Sequence, residues 1–188
     1  MPVNASNDDL GWIAPNFRLK DVSNDIKTLD DLKGDNCTVI AFICNHCPYV
    51  IRIIERLVSE SIELQNIGVS TIAIMSNDVK QYPEDSYEKM KEFSLKYHFK
   101  FQYLYDPTQQ VAKDYQAVCT PDFFGFNKDL ELKYRGRIDS KVVENDNNDI
   151  KREMYEAMKL ITETNQGPTN QFNSFGCSIK WINNEWYR

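Results

Sequence analysis

The spacing of apolar residues changes several times along the chain, and each spacing predicts a type of element. Residues 37–43, CTVIAFI, form a nearly unbroken apolar run rich in β-branched residues, which predicts a strand buried on both faces. Residues 69–75, VSTIAIM, predict a second such strand. Between the two strands, apolar residues recur at helical spacing after Cys47, with Pro48 in the first turn and Gly68 as a stop. Together these elements predict a β-α-β unit with a right-handed crossover.

Further elements follow from the same reasoning. Asp85 and Glu88 are spaced like a capping box and precede an apolar pattern of helical spacing. Residues 144–149, ENDNND, are expected to form a solvated loop. The other predicted elements are a helix over 87–97, a strand over 101–106, a helix over 108–118, a hairpin of 122–126 with 130–136, and a helix over 150–164.

This order of elements is typical of a thioredoxin-like α/β fold. It predicts a three-layer sandwich with a central mixed sheet, an inserted strand and helices before the hairpin, and a C-terminal extension. Another doubly wound α/β domain is the alternative. Since no repeat or linker divides the chain, residues 1–188 are expected to form one domain. The tail, residues 166–188, contains Trp181, Trp186 and Tyr187 and is expected to dock on that domain.

Composition narrows the range of partners. Hydrophobic residues make up 41% of the chain and charged residues 27%, as in an ordinary globular protein. The net charge of −6 argues against a nucleic-acid or anionic-membrane partner. No apolar run approaches the ~20 residues that a transmembrane helix needs. Since the first residues lack a basic and apolar signal, we expect a cytoplasmic protein, in which a Cys-x-x-Cys pair more often serves catalysis or metal binding than structure.

The sequence Cys44-Asn45-His46-Cys47 lies at the predicted strand-to-helix junction. A helix N-terminus favours a thiolate, and an imidazolium at His46 would add a second positive influence. We therefore expect Cys44, the first and more exposed cysteine, to be the nucleophile. Cys47 would be shielded and would resolve the mixed disulfide. No cofactor is expected apart from this redox-active disulfide, and no metal.

Zinc is the main alternative for this segment. Cys37, Cys44, His46 and Cys47 supply four ligands, three thiolates and one imidazole, that zinc accepts. Cys37, however, lies seven residues upstream in a strand, roughly 20 Å away when extended. Structural zinc sites usually combine two paired knuckles, and the chain has one Cys-x-x-Cys. The redox interpretation is therefore favoured.

Beyond the Cys-x-x-Cys pair, several segments resemble the thioredoxin superfamily, and within it the peroxiredoxin-like redoxins related to the AhpC/TSA group. They extend from residue 14 to residue 181, which is nearly the whole chain. The matching segments are APNFRLKD, CNHCPYV, SNDVKQYPEDSYEKM, VCTPDFFGF, YRGRID and SFGCSIKW.

The resemblance implies a thiol–disulfide or antioxidant role. It marks Pro121 as a cis-proline beside the Cys-x-x-Cys pair and the Thr120 backbone as the binding site for an extended substrate strand. The implied partners are a protein or small-molecule disulfide and a reducing partner. The oligomeric state is left open, with a homodimer as one option.

The sequence departs from the peroxiredoxin pattern around both cysteines. Peroxiredoxins carry Thr or Ser three residues before the peroxidatic cysteine and Pro seven residues before it. Counting back from Cys47 gives Cys44 and Ile40, and counting back from Cys44 gives Ala41 and Cys37. Neither cysteine therefore has the residues that a peroxiredoxin uses to activate peroxide.

Other residues are auxiliary candidates. Cys119, two residues before Pro121, is either a third redox cysteine or inert packing. Cys177, in the tail motif, is either a resolving cysteine or structural. Arg137, or else Arg135, would supply the arginine that peroxiredoxins use, unless it is a solvated surface residue.

Asn77 and Asp78 follow the second parallel strand, so they should border the site, although an Asx turn that leads into the next helix is the favoured interpretation. Three hypotheses follow. The first is a dithiol oxidoreductase acting on disulfides, and the second is a thiol peroxidase. The third is a binding module that keeps the cysteines for a metal or without a catalytic role.

Overall fold

The computed structural model describes residues 2–5, 10–142 and 150–184. The strands in these ranges are β1 (Pro2–Asn4), β2 (Arg18–Asp21), β3 (Ile26–Thr28), β4 (Cys37–Phe42), β5 (Val69–Met75), β6 (Gln102–Tyr105), β7 (Cys119–Thr120), β8 (Asp122–Asn127), β9 (Leu132–Gly136) and β10 (Phe175–Ser178). The α-helices are α1 (Leu29–Leu32), α2 (Pro48–Gln65), α3 (Tyr87–Lys96), α4 (Gln110–Asp114) and α5 (Glu153–Thr164). Short 3-10 helices span Pro83–Asp85, Ser140–Val142 and Ile182–Asn184.

Seven strands form the main sheet in the order β3-β2-β6-β5-β4-β8-β9. β4 lies parallel to β5, and β5 lies parallel to β6. β8 runs antiparallel to both β4 and β9, so the sheet is mixed. The predicted thioredoxin-like α/β fold with a central mixed sheet is confirmed.

Apolar side chains cover both faces of the main sheet. On one face, residues such as Val39 and Ala41 pack in a cluster with side chains of α2, α3 and α5. On the other face, Ile40 and Phe42 pack in a second cluster that includes side chains of α1 and α4. All six residues of β4 are buried, because a central strand with helices on both faces has no solvated side.

Two local predictions were wrong in detail. The N-cap of α3 is Ser86, whose hydroxyl accepts from the Lys89 backbone N–H at 3.4 Å, so Asp85 and Glu88 do not form a capping box. The helix predicted over 108–118 is limited to α4. It ends before Gln116, which has a φ of 54°. A residue in this left-handed region cannot continue a right-handed helix.

The described part of the tail docks on the rest of the chain through a strand, a buried tryptophan and several hydrogen bonds. β10 forms a second, three-stranded sheet with β1 and β7, in the order β1-β10-β7. Trp181 is buried in the apolar cluster that contains Phe42. The predicted loop at 144–149, together with Trp186 and Tyr187, lies outside the described residues. None of the described helices is long and apolar enough to cross a membrane.

Candidate functional site

The Cys-x-x-Cys segment connects the central strand β4 to α2. Beyond the end of β4, the Ile43 backbone N–H still donates to the Ile74 carbonyl at 3.0 Å, so the chain leaves the sheet at Cys44. Cys47 is the N-cap of α2, and Pro48 occupies the first helical position, as predicted. A proline is tolerated there because that position needs no N–H donor. The helix N-terminus therefore lies directly at Cys47.

Both sulfur atoms contact the loop that contains Thr120. Cys47 Sγ lies 3.1 Å from the Thr120 carbonyl oxygen, and Cys44 Sγ lies 3.4 Å from the Thr120 hydroxyl. The Thr120–Pro121 peptide bond is cis, as the resemblance implied. All five cysteines are free thiols, so the structure represents the reduced protein.

The predicted difference in exposure between the two cysteines is absent. Cys44 is 1% exposed and Cys47 is 0% exposed, so neither sulfur is open to solvent in this conformation. The chain around them, including β7 and α2, excludes water from both thiols. A disulfide substrate can therefore react with these sulfurs only if the surrounding segments rearrange or if another group relays the exchange.

The two thiols have opposite pKa shifts. A hydrogen bond from Cys44 is the largest cause that lowers the pKa of Cys47 to about 5, and the N–H groups of Val50 and Cys177 lower it further against burial. The pKa of Cys44 is raised, first by that same hydrogen bond to Cys47 and then by burial. The Thr120 carbonyl favours a protonated Cys47, but more donors than acceptors surround this sulfur. The lowered pKa expected at Cys44 is therefore found at Cys47.

His46 does not direct its ring nitrogen at a sulfur atom. Its Nδ1 lies 2.7 Å from Asp85 Oδ2, and its ring stacks on Tyr82 with centroids 5.4 Å apart and planes 7° from parallel. This hydrogen bond to Asp85 raises the pKa of His46. The imidazolium is consequently paired with a carboxylate, which weakens its expected influence on Cys44.

Asp85 is a site residue that the sequence analysis assigned only to a helix cap. Its side chain is 0% exposed. Its Oδ1 accepts from the backbone N–H of Asn45 at 2.8 Å and of His46 at 3.4 Å, while Oδ2 accepts from Asn77 Nδ2 at 2.7 Å. These bonds fix the two residues between the cysteines. Asp85 also adds a negative charge that raises the pKa of Cys44.

Two other side chains hold the Cys-x-x-Cys segment in place. Asn45 Oδ1 accepts from the buried Tyr103 hydroxyl at 2.9 Å, and Asn45 Nδ2 donates to the Glu84 carbonyl at 3.0 Å. Asn45 therefore contacts both β6 and the 3-10 turn before α3. No short sequence pattern indicates these contacts, because the partners lie 39 and 58 positions away along the chain.

The comparisons with known proteins identify the family of the chain. The AhpC/TSA family profile matches residues 10–135. The chain belongs to the AhpC/TSA family. The resemblance of this redoxin to thioredoxin-like proteins is thus confirmed at the level of the family and the fold. A search of curated proteins found no match.

Solved structures similar to this redoxin include two that cover nearly its whole length. An uncharacterized conserved protein from Geobacillus kaustophilus is 43% identical, with a TM-score of 0.92 and 97% of each chain covered. A hypothetical protein from Sinorhizobium meliloti is 32% identical, with a TM-score of 0.87, covering 95% of this chain and 98% of that one. The peroxidoxin BcpB from Mycobacterium tuberculosis is 18% identical, with a TM-score of 0.56 and coverage of 65% and 81%, and shares the fold alone.

The predicted neighbours Asn77 and Asp78 have different places in this redoxin. Asn77 joins the site through Asp85, and its Oδ1 accepts from the Lys180 backbone N–H at 2.9 Å. Asp78 Oδ1 accepts from the Lys80 backbone N–H at 2.9 Å, which is the Asx turn given as the alternative. Asn77 therefore contacts the Cys-x-x-Cys network, and Asp78 shapes the loop beyond it.

The arginine candidates form ion pairs with carboxylates. Arg137 Nε and Nη2 lie 2.6 and 2.8 Å from the two carboxylate oxygens of Glu153. Arg135 Nη2 lies 3.3 Å from Asp122 and donates to the Gln116 carbonyl at 2.7 Å. Both guanidinium groups are therefore paired with a carboxylate, while Arg135 Nε is buried without a hydrogen-bond partner.

The remaining cysteines differ in their surroundings. Cys119 is fully buried, its thiol lies 3.5 Å from the Pro121 carbonyl, and burial raises its pKa. Cys177 is partly exposed and lies opposite Thr120 in the β7–β10 pair. Cys37, at the start of β4, accepts a hydrogen bond from the Thr162 hydroxyl at 3.4 Å. Of the auxiliary cysteines, Cys177 is therefore the one that contacts solvent.

One group of side chains has the composition of a metal site. Cys44, His46 and Asp85 each offer a ligand atom within 4.8 Å of the others. The Asp85 carboxylate, however, already accepts hydrogen bonds from the backbone and from Asn77. The donor set is therefore satisfied by internal hydrogen bonds, and Cys37 is not part of it.

Proposed function

We propose that this protein is a thiol–disulfide oxidoreductase that cycles Cys44 and Cys47 between a dithiol and a disulfide. The observation that carries the proposal is the placement of these two buried sulfurs at the N-terminus of α2, where both contact Thr120. The pKa of Cys47 is lowered to about 5, which favours its thiolate near neutral pH. Such an arrangement favours reversible closure of a disulfide between the two cysteines.

We assign the attacking thiolate to Cys47 and the resolving thiol to Cys44. This assignment reverses the order expected from the sequence. The lowered pKa of Cys47 supports it, because the thiolate is the nucleophile in disulfide exchange. After Cys47 has formed a mixed disulfide, Cys44 attacks it and releases the substrate thiol. Thr120 and Pro121 would lie beside the bound substrate.

The proposed substrates are protein or small-molecule disulfides, and a separate thiol donor would return the pair to the dithiol form. We propose a cytoplasmic setting for this reaction. No cofactor is required, since the electrons are carried by the two sulfur atoms. Thr120 contacts both sulfurs, so a substrate that reaches the pair would lie against this residue.

A thiol peroxidase is the second candidate, and the acidity of Cys47 favours it. The Cys44 thiol stands where a peroxiredoxin has its hydroxyl donor, three residues before Cys47, and hydrogen bonds to it. Peroxide cleavage also needs donors arranged around the leaving oxygen, and losing one typically costs ~10²–10³ in rate. Since Arg135 and Arg137 are paired with carboxylates, this requirement is poorly met.

Titration of the protein with reduced and oxidised glutathione tests the proposal. The wild type should convert two thiols per chain in one two-electron transition, with mass spectrometry locating the disulfide between Cys44 and Cys47. Cys44→Ser and Cys47→Ser should each lose this disulfide. Cys37→Ala is the matched control and should retain it. If the wild type keeps both thiols alkylatable under oxidising glutathione, the proposal is wrong.

Stopped-flow oxidation separates the two candidates. Hydrogen peroxide should oxidise the reduced protein at about the rate of an ordinary thiolate, whereas a small disulfide should exchange much faster. Cys44→Ser is informative because it restores a hydroxyl three residues before Cys47. A peroxide rate far above that of a free thiolate, retained in Cys44→Ser, would establish the peroxidase instead.

A further inference from the structure

A strand of the chain itself occupies the edge of Thr120 that a substrate strand would use. β10 pairs antiparallel with β7, and Cys177 lies opposite Thr120 in the register. The other edge of β10 is covered by β1, with Pro2 opposite Cys177. The expected docking edge is therefore filled by residues of the C-terminal tail.

Glycine at position 176 permits this close approach. A Cβ at Gly176 would lie 2.1 Å from the Thr120 carbonyl oxygen and 3.1 Å from Pro121 Cδ. Any side chain at this position would push β10 away from the cis-proline loop. Next to it, Phe175 packs edge-on against Tyr49 of α2, with ring centroids 5.2 Å apart. The tail is consequently held against both the loop and the helix that surround the cysteine pair.

This packing brings a third sulfur to the pair. Cys177 packs against the apolar cluster that contains Cys47, and its backbone N–H and thiol are among the groups that lower the pKa of Cys47. Cys47 also contacts the Thr120 carbonyl, the residue opposite Cys177. Cys44 and Cys47 are buried, while Cys177 is partly exposed. Among the five cysteines, all of them described, Cys177 alone connects the buried pair with solvent.

We propose that Cys177 is a third redox thiol, which exchanges the disulfide with Cys47 and so carries it between the buried pair and the surface. This inference rests on the proposed dithiol function. β10 then acts as a built-in substrate strand. The external partner would be a small thiol or disulfide of the glutathione class, which needs little space to reach a partly exposed sulfur.

The exchange conserves atoms and electrons. The thiolate of Cys177 attacks Cys47 Sγ in the Cys44–Cys47 disulfide. The Cys44–Cys47 bond breaks, the Cys47–Cys177 bond forms, and the electron pair leaves on Cys44. Cys44 then takes up the proton that Cys177 released. An external thiolate can afterwards attack Cys177 Sγ, which breaks the Cys47–Cys177 bond, releases Cys47 as a thiolate and leaves a mixed disulfide on Cys177. A second external thiol then reduces this mixed disulfide.

The electrostatics favour exchange after oxidation of the pair. In the reduced protein, burial and then the hydrogen bond to Cys47 raise the pKa of Cys177 to about 11. Once Cys47 is part of a disulfide, its negative charge no longer opposes a thiolate on Cys177. The positive charge of Lys180 favours that thiolate in both states. Cys177 is thus a poor nucleophile while the pair is reduced and a better one once it is oxidised.

Oxidation of Cys44→Ser with diamide tests the inference directly. Rapid acid quenching, alkylation and mass spectrometry should find Cys47 joined to Cys177 in most of the protein. Cys44→Ser/Cys177→Ser should form no intramolecular disulfide, and Cys44→Ser/Cys37→Ala should behave like Cys44→Ser. Adding Gly176→Ala to Cys44→Ser should slow formation of the disulfide about tenfold or more, because the side chain displaces β10. Near-UV circular dichroism verifies that each variant is folded.

In the wild type, quenched time points should show the Cys44–Cys47 disulfide first and the Cys47–Cys177 disulfide after it. If Cys44→Ser instead leaves Cys177 reduced, with Cys47 joined to diamide-derived adducts, to Cys119 or to a second chain, the inference is wrong. That outcome leaves the dithiol function intact when the wild type still forms Cys44–Cys47. Absence of Cys44–Cys47 from the glutathione titration would count against the dithiol function, whatever Cys177 does.

Discussion

The two ends of β4 carry thiols that are equally buried and chemically opposite. Cys37, at the start of the strand, is 1% exposed, and Cys47, just beyond its end, is 0% exposed. Burial raises the pKa of Cys37, whereas the pKa of Cys47 is lowered to about 5. Burial by itself therefore does not decide whether a thiol in this protein is ionised.

The number of donors around each sulfur explains the difference. Cys37 receives one hydrogen bond, from the Thr162 hydroxyl, and this bond only partly offsets its burial. The pKa of Cys47 is lowered by donors from Cys44, from Val50 in the first turn of α2, and from Cys177. Since each donor stabilises the charged form, the carboxyl end of the strand becomes a thiolate site and the amino end does not.

The largest expected effect is the loss of the acidic thiolate when Cys47 is removed. The absorbance of thiolate near 240 nm should titrate with a pKa of about 5 in the reduced wild type, well below the ~8.5 of an ordinary thiol. Cys47→Ala should abolish this transition, and Cys37→Ala should leave it in place. A transition that persists without Cys47 would show that the charge resides on another sulfur.

A smaller effect is expected from Asp85→Asn, which removes the negative charge near Cys44. The pKa of Cys44 should fall, because Asp85 raises it, and the pKa of His46 should return toward ~6.5. Proton NMR of the imidazoles measures the second change, with His98 as the internal reference. If His46 titrates identically in both proteins, the ion pair with Asp85 is not formed in solution.

The same ion pair gives a pH-dependent stability. Because the folded pKa of His46 is raised, its contribution is fully present below the unfolded value of ~6.5 and is lost as pH rises through the folded value. The free energy of unfolding of His46→Asn should therefore approach that of wild type at alkaline pH. Urea denaturation at several pH values checks this direction.

The smallest effect is expected from Thr120→Val. In the wild type, the Thr120 hydroxyl lies 3.4 Å from Cys44 Sγ and lowers the pKa of Cys44. The substitution removes this hydroxyl but keeps the carbonyl that contacts Cys47. A single hydrogen bond contributes ~1 kcal/mol net, so exchange through Cys44 should slow roughly fivefold. Thr162→Val removes the matching hydroxyl at Cys37 and should leave the exchange rate unchanged. Equal slowing in both variants would indicate a general loss of packing.

Much of the fold follows from local patterns. The runs at 37–43 and 69–75 and the helix that begins at Pro48 were predicted close to their observed bounds. The spacing of apolar residues in each element depends on whether one face or both faces are buried. This spacing can be read from residues that are close together in the sequence. Asp85 was misassigned for the same reason. A carboxylate residue just before a helix looks like a helix cap in the sequence. The sequence does not show whether its side chain caps the helix or points into the interior.

By itself, the sequence determined the β-α-β unit and the position of the Cys-x-x-Cys pair at a helix N-terminus, because both depend on residues that are near one another in the chain. Only the tertiary structure decided which cysteine becomes acidic. It did so by bringing Asp85 to the loop between the cysteines and Cys177 to Cys47, across 39 to 130 positions of sequence. The charge on a buried sulfur depends on every donor and charge around it, and these come from segments whose proximity no local pattern encodes.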